Sequence, residues 1–405
     1  MAEAYALPQP GFRAPRGAGK HLKRLAVLAV GLALSACSTL VPRGAPPGEA
    51  PPPATRPDTG PAPVGPGLPQ DQARHRVALL VPLTGPNARV GQSLANATQL
   101  ALLDTRSEVV RITNYDTARG AAAAAQAAIR DGNRLILGPL LAEDVRAVAP
   151  IARRADVPVI SFSNDTGVAG DGVFIMGYTP AQSIERVVDH ARRSGVSDFA
   201  GLVPTGLYGE RASTSFLRAV EAAGGRVVAL QTFDRAPRAV ASAVARLTVP
   251  YDAVLIADGA QTAAGAVPVI RRSAAGKAAR VLGTELWNSD SNVGANAALS
   301  GAWYASVANN LYTQYAGKYR TRFSAAPYRL SSMGYDAVLL TVRIARDWRV
   351  GSPFPASRLS DRDGFAGLDG AFRFGRDGIA ERALEVKEVR GGTTVTVSPA
   401  PRSFR

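Results

Sequence analysis

From residue 76 onward the chain alternates short, unbroken apolar runs with longer helix-patterned stretches, and this rhythm constrains the fold more than any other feature. The first run, Val77-Ala-Leu-Leu-Val81, stops at Pro82, Gly85 and Pro86. A strand without polar alternation is buried on both faces, as in a parallel sheet covered by helices. Strands at 77–81, 109–113, 134–137, 158–162 and 173–176 accompany helices at 91–103, 119–131 and 143–154. A second set then begins. Helices at 180–193, 210–223, 238–247 and 262–272 alternate with strands at 198–203, 226–230, 253–256 and 280–282. This density of alternation predicts an α/β fold of doubly wound parallel sheets, and two successive sets predict two lobes. The tail returns to helices at 312–323 and 331–350, then to short strands at 372–374, 383–389 and 393–397 between Gly-rich turns.

The 405 residues, 46% hydrophobic, supply ample material for such a core. The stretch before it is different. Residues 42–69 are dominated by Pro, Gly and Ala around Pro51-Pro52-Pro53. Such a segment buries too little apolar surface to fold, and its prolines keep it extended at about 3.1 Å per residue. Ahead of it, Lys20, Lys23 and Arg24 precede an apolar run over 25–36 that ends at Cys37, the only cysteine. Twelve residues are too few for a spanning helix, which needs about 20. The layout predicts a secretory signal over 1–36. It resembles a bacterial lipobox, which implies lipidation of Cys37 and a membrane tether over 37–74. Ser38 in place of Asp implies the periplasmic face of the outer membrane. With one cysteine the chain forms no internal disulfide.

The formal charge is +15, and only five basic residues and one acid precede Cys37, so most of the excess belongs to the body. Those charges are dispersed. No basic run is interleaved with aromatics in the manner of single-strand binders, so nucleic acid is not an expected partner. Catalytic signals are also missing from the pattern. Beyond Cys37 the histidines are His75 and His190, and neither stands in a metal-binding pair. Phosphate-loop and nucleophile-elbow motifs are lacking. Asp361-Arg-Asp363-Gly364 starts like a calcium loop, but its glycine comes two positions early and the closing Glu is missing. The expectation is therefore no enzyme, no cofactor and no metal.

Binding remains. In open parallel sheets ligands sit beyond the carboxyl ends of the strands. After the fourth strand come Ser161, Ser163 and Asn164; in the second set, Tyr208 follows one strand, and Glu285 and Trp287 follow another. Facing one another across a cleft, they form a candidate site for a small polar ligand, with an aromatic wall. The same residue types also suit ordinary turns and helix caps.

Val77-Ala-Leu-Leu-Val-Pro-Leu-Thr-Gly85, Tyr115-Asp116-Thr117, Leu135-Ile-Leu-Gly-Pro139, Tyr208-Gly209-Glu210 and the stretch from Phe365 to Gly378 together resemble the branched-chain amino-acid receptor family. That resemblance covers residues 76–397 and implies the type I periplasmic-binding fold, with crossovers near Tyr178, Tyr304 and Gly370. It assigns 75–178 and 305–370 to lobe 1, and 179–304 and 371–405 to lobe 2. Tyr208 and Glu285 match positions where these receptors hold the side chain and ammonium group of an amino acid. The serine expected soon after Gly138-Pro139 is replaced by Leu140, Leu141, Ala142 and Glu143, and no aromatic follows Asp258-Gly259. The run 160–174 and the ending 399–404 are more narrowly similar to alphaproteobacterial penicillin-binding protein activator lipoproteins. This second likeness implies a non-catalytic regulator of a peptidoglycan synthase, with a penicillin-binding protein as partner. The first implies the solute receptor of an ABC transporter for amino acids or related small polar ligands.

Overall fold

The structure, a computed structural model, describes residues 73–401 and 404. The expected signal over 1–36, Cys37 and its lipid, the tether up to residue 72, and Ser403 lie outside the described residues.

The first set of elements runs β1 (His75–Val81), α1 (Ala88–Thr105), β2 (Val110–Asp116), α2 (Ala121–Arg130), β3 (Leu135–Leu137), α3 (Ala142–Arg154), β4 (Val159–Ser161) and β5 (Val173–Ile175). The second runs α4 (Pro180–Arg193), β6 (Asp198–Pro204), α5 (Leu207–Ala222), β7 (Arg226–Phe233), α6 (Pro237–Ala245), β8 (Ala253–Ile256), α7 (Ala260–Arg272), β9 (Arg280–Gly283) and β10 (Trp303–Ser306). The tail holds α8 (Asn310–Phe323), α9 (Ser331–Ala345), β11 (Phe365–Gly367), β12 (Gly370–Phe374), β13 (Ala380–Arg382), β14 (Glu385–Arg390) and β15 (Thr393–Ser398).

One sheet has the order β2-β1-β3-β4-β5, all parallel. The other repeats that winding as β7-β6-β8-β9-β10 and adds β14 and β15 antiparallel at its far edge. The unbroken apolar strands have the predicted cause. In β1, Val77, Leu79 and Val81 enter one core, while Ala78 and Leu80 enter another on the opposite face. In β8, Val254 and Ile256 face one side, and Ala253 and Leu255 the other. Both sheets are therefore sandwiched between helices.

The helices α8 and α9 come late in the chain but return to the first sheet, where α9 packs along α1. Gly334 makes that approach possible, since a Cβ there would lie 3.0 Å from the Leu94 carbonyl oxygen. The α9 helix ends at Ala345 rather than at the expected 350. Trp348 then folds back and stacks on His75, with ring centroids 4.0 Å apart.

Two crossovers lie elsewhere than the resemblance implies. Tyr304 is inside β10, an unforeseen strand, so the chain leaves the second sheet only after Ser306. Residues 371–382 do not join the second lobe. The strands β11, β12 and β13 form a small antiparallel sheet, and Phe372, Phe374 and Ala380 are buried in the same core as α1 and α9. Ile379 also bridges to Ile175 of β5. The third crossover is therefore at Ala383–Leu384, immediately before β14 pairs with β10.

Candidate interlobe binding site

The carboxyl ends of both sheets border a cavity of about 420 Å³. From the first lobe it is lined by Asn87 and Val90 near the start of α1, Leu140 and Leu141 after β3, Phe162 and Asn164 after β4, and Arg329, Leu330 and Met333 around the start of α9. The second lobe contributes Glu285, Leu286, Asn288 and Ser289 after β9, and Ser306 and Val307 at the end of β10. Tyr178 and Leu384 close it at two crossovers. The wall is mainly aliphatic.

The residues expected to form the site separate into distinct roles. Asn164 and Glu285 do line the cavity. Tyr208 stands behind Glu285, donating from its hydroxyl to Glu285 Oε1 at 3.0 Å and meeting Thr284 Oγ1 at 3.2 Å. Ser183 donates to the other Glu285 oxygen. Burial pushes the Glu285 carboxyl above the ordinary range, while bonds from Ser183, its own backbone and Tyr208 partly counter it. Burial first, then the neighbouring Glu285 charge, pushes the Tyr208 phenol well up.

Ser161 and Ser163 build the wall instead of presenting hydroxyls to the cavity. The Ser161 hydroxyl donates to the Pro139 carbonyl at 2.9 Å and accepts the Ser163 amide at 3.0 Å. Ser163 Oγ in turn accepts the Asp165 amide at 3.1 Å. Both side chains shape a turn after β4 that lies against the loop after β3. Trp287 supplies no aromatic wall. It is 0% exposed, its Nε1 donates to the Asp258 carbonyl at 3.0 Å, and its ring packs beside Tyr304. The short 3-10 turn Glu285–Ser289 points the indole inward over Gly283. The cavity's aromatic groups are Phe162 and Tyr178 instead.

Two polar assemblies were not foreseen. The first ties the lobes. Asp165, after β4, accepts from Arg146 of α3 at 2.6 Å, from the Gly167 amide at 2.8 Å, and from Arg211 of α5 in the second lobe. Arg211 also reaches the Asn164 carbonyl at 3.4 Å. Burial opposes ionisation of Asp165, but the Arg211 bond, the Gly167 amide and the two arginine charges hold its carboxyl below the usual range.

The second assembly lies at the crossovers. Asp369 is fully buried and accepts from Arg329 at 2.6 Å, from Ser332 at 2.7 Å, and from the Tyr178 hydroxyl. Burial again opposes its charge, and Arg329 with Arg382 keeps its carboxyl below the usual range. Arg382 donates to the Met176 carbonyl at 2.6 Å and lies over the Tyr178 ring. Asp336, accepting the Leu368 amide at 2.6 Å, is pushed up by burial and by the Asp369 charge. A pairing such as Arg329 with Asp369 carries no local sequence signal, although Asp369 falls within the stretch 365–378 that supports the family resemblance.

Residues 75–393 match the family model described as periplasmic binding protein. The chain belongs to that family. Among solved structures it is similar to a putative branched-chain amino acid ABC transporter protein from Rhodospirillum rubrum, with a TM-score of 0.69 and 22% identity, covering 80% of this chain and all of the other (100%). A solute binding protein from Rhodopseudomonas palustris BisB5, in complex with 3,4-dihydroxy benzoic acid, has a TM-score of 0.62 and 19% identity, covering 81% of this chain and 97% of the other. The LpoA (YraM) C-domain from Haemophilus influenzae, a regulator of PBP1A, also has a TM-score of 0.62, with 17% identity, covering 80% and 99% of the two chains. These likenesses show the type I fold. A curated relative, the uncharacterized protein RP748 of Rickettsia prowazekii (strain Madrid E), is 24% identical over 191 residues. The match covers 46% of this chain and half (50%) of that relative's length. Binding proteins of ABC transporters and a regulator of PBP1A thus share this fold.

Proposed function

We propose that the chain is a non-catalytic, lipid-anchored periplasmic regulator of a peptidoglycan synthase, acting by binding a penicillin-binding protein. One observation carries this reading: the charged groups of the cleft and the serines behind its wall already have partners within the protein. Glu285 is engaged by Ser183 and Tyr208, Arg329 by Asp369 and Ser332, and Ser161 and Ser163 by backbone. A receptor for a free amino acid needs an ionised carboxylate for the ammonium group and uncommitted donors for the carboxylate. A body whose charged cleft groups are already engaged and whose lobes are tied across by Asp165 and Arg211 suits recognition of its outer surface by another protein. Cys37 and the Pro-rich segment fit a protein that must reach from its own membrane to machinery elsewhere. The test adds the purified chain to a bifunctional peptidoglycan synthase and follows glycan polymerisation and cross-linking. A raised rate with a recoverable complex is expected. An unchanged rate with no complex removes the proposal.

The cavity itself favours a second reading, a solute receptor of an ABC transporter. Calorimetry against amino acids and aromatic acids separates the two. Tight binding that is lost in Glu285→Ala supports the receptor and reverses the ranking.

A further inference from the structure

A second cavity, of about 540 Å³, shares Asn288, Ser289 and Arg329 with the cleft, so these three residues form the partition between the two spaces. Its size is within the ~300–1,000 Å³ of small-ligand sites. The second lobe supplies the loop after β9, from Asn288 to Ala295, and Gly392, Thr393 and Thr394 at the turn into β15. Gly294 lets these two pieces meet, since a Cβ there would stand 2.7 Å from the Thr393 carbonyl carbon. The first lobe supplies Asn309, Tyr312 and Thr313 at the start of α8, and Ala326 and Pro327 ahead of α9.

Unlike the aliphatic cleft, this wall is rich in hydroxyl and amide side chains, and hydrogen-bonding capacity remains on it. Ser289 donates to the Leu286 carbonyl at 2.7 Å and Thr313 to the Asn309 carbonyl at 2.9 Å, so each hydroxyl oxygen keeps its lone pairs for another donor. Asp290 accepts the Asn292 amide on one oxygen and Gln261 Nε2 on the other, each at 2.8 Å, and an ionised carboxylate offers about four such sites. Among the described residues that line the cavity, Asp290 is the one acid and Arg329 the one base. Arg329 is already paired with Asp369 at 2.6 Å, so the lining offers no uncommitted cation to an anionic ligand, and Asp290 repels one. The Tyr312 ring is held in place by the Arg329 guanidinium, 4.1 Å from its centroid, and by Tyr315, whose ring centroid is 5.6 Å away.

We infer that this cavity binds an uncharged oligosaccharide. Every sugar hydroxyl both donates and accepts, which matches a wall where hydroxyls, side-chain amides and one carboxylate stand together. The C–H face of a pyranose also packs on an aromatic ring, the part Tyr312 is placed to play. A peptide of similar size presents fewer groups that donate and accept at once. A sugar held there touches both lobes and the partition with the cleft, and so favours the arrangement that brings its two walls together. Saccharide binding here and synthase regulation stand or fall separately.

The test uses the full chain in calorimetry with N,N′-diacetylchitobiose and maltose, and with N-acetyl-trialaninamide as an uncharged peptide probe. Tyr312→Ala removes the ring. Ser291→Trp fills the cavity from an exposed loop position and leaves the Tyr312 and Arg329 stack in place, so it decides the matter if Tyr312→Ala does not fold. Ser300→Trp, also exposed but outside the lining, is the control. Saturable binding of at least one disaccharide is expected, weakened about ten-fold or more by Tyr312→Ala and by Ser291→Trp and changed less than about two-fold by Ser300→Trp. Binding of the acetylated disaccharide alone supports the inference and narrows the ligand to acetamido sugars. No binding of either disaccharide, equal weakening by Ser291→Trp and Ser300→Trp, or tighter binding of the peptide probe overturns the inference.

Discussion

Replacing Asp165 with Asn removes a carboxylate that ties the two walls of the cleft. Asp165 is 2% exposed, and its partners differ in environment. The Arg146 side chain is 57% exposed, so its share is that of a surface pair, about 0–1 kcal/mol. The Arg211 side chain is 25% exposed, and a charge-assisted bond of that kind contributes about 1.5–3 kcal/mol. Asn keeps Oδ1 for the Gly167 amide and Arg211 but turns its NH2 group toward Arg146, and it removes the charge that strengthens the Arg211 bond. The expected loss is about 2–3 kcal/mol, part of it as easier lobe separation because Arg211 belongs to the second lobe. Urea denaturation measures the loss, and small-angle scattering measures the separation. Arg211→Met, combined with Asp165→Asn, closes a double-mutant cycle. A coupling energy near zero, with unchanged scattering, refutes the reasoning. The pH dependence has a definite sign. Asp165 is held below its unfolded value of about 3.9, so its stabilisation is present above that pH and is lost as pH falls through the folded value. The variant has a shallower acid limb.

Glu285→Gln has the opposite sign, because burial raises the Glu285 carboxyl. In the wild type, stability is fullest below the unfolded value of about 4.3 and declines as pH rises through the folded one. The Gln variant removes that decline, as melting temperature against pH will show; an unaltered slope contradicts the assignment. Asp336→Asn acts in the same direction, because burial and the Asp369 charge raise the Asp336 carboxyl to about 7. Its removal flattens stability from about pH 4 to about 7, measured by urea midpoints across that window. Trp287→Ala empties a fully buried site and costs about 3–5 kcal/mol. A loss below about 1 kcal/mol in denaturant unfolding contradicts placing the indole in the core.

The two-sheet architecture was legible because strands buried on both faces leave unbroken apolar runs, and β1 and β8 each divide alternate residues between two cores. Other elements depended on tertiary context. The strand β10 reads Trp-Tyr-Ala-Ser, four residues with no distinctive pattern, and becomes a strand by lying between β9 and β14. The family resemblance implied a crossover near Gly370, but burial of Phe372 and Phe374 keeps the chain on the first lobe. At the cleft, residue type and a position after a strand located Glu285 and Asn164. They left side-chain direction undetermined, so Trp287 read as wall although its indole is core. Arg329 was missed because its partner Asp369 is 40 residues away.

The cleft and its crossovers share side chains, and this limits how a ligand can act there. Tyr178 and Arg329 line the cavity, and both also bond Asp369, which is 0% exposed. Pulling either group toward a ligand weakens the coordination of a buried carboxylate, and leaving such a charge unpaired costs several kcal/mol. A ligand shifts a conformational equilibrium only by its differential affinity for the two states. Contacts that first disrupt Asp369 therefore lose much of what they gain. Selectivity then falls to the aliphatic wall of Leu140, Leu141, Leu286, Val307 and Met333, and to the exposed amide of Asn164. A zwitterion is poorly matched to that wall. On the receptor reading, the matching solute is a compact, mostly apolar molecule with one or two amide or hydroxyl groups, which leaves Asp369 and its partners in place.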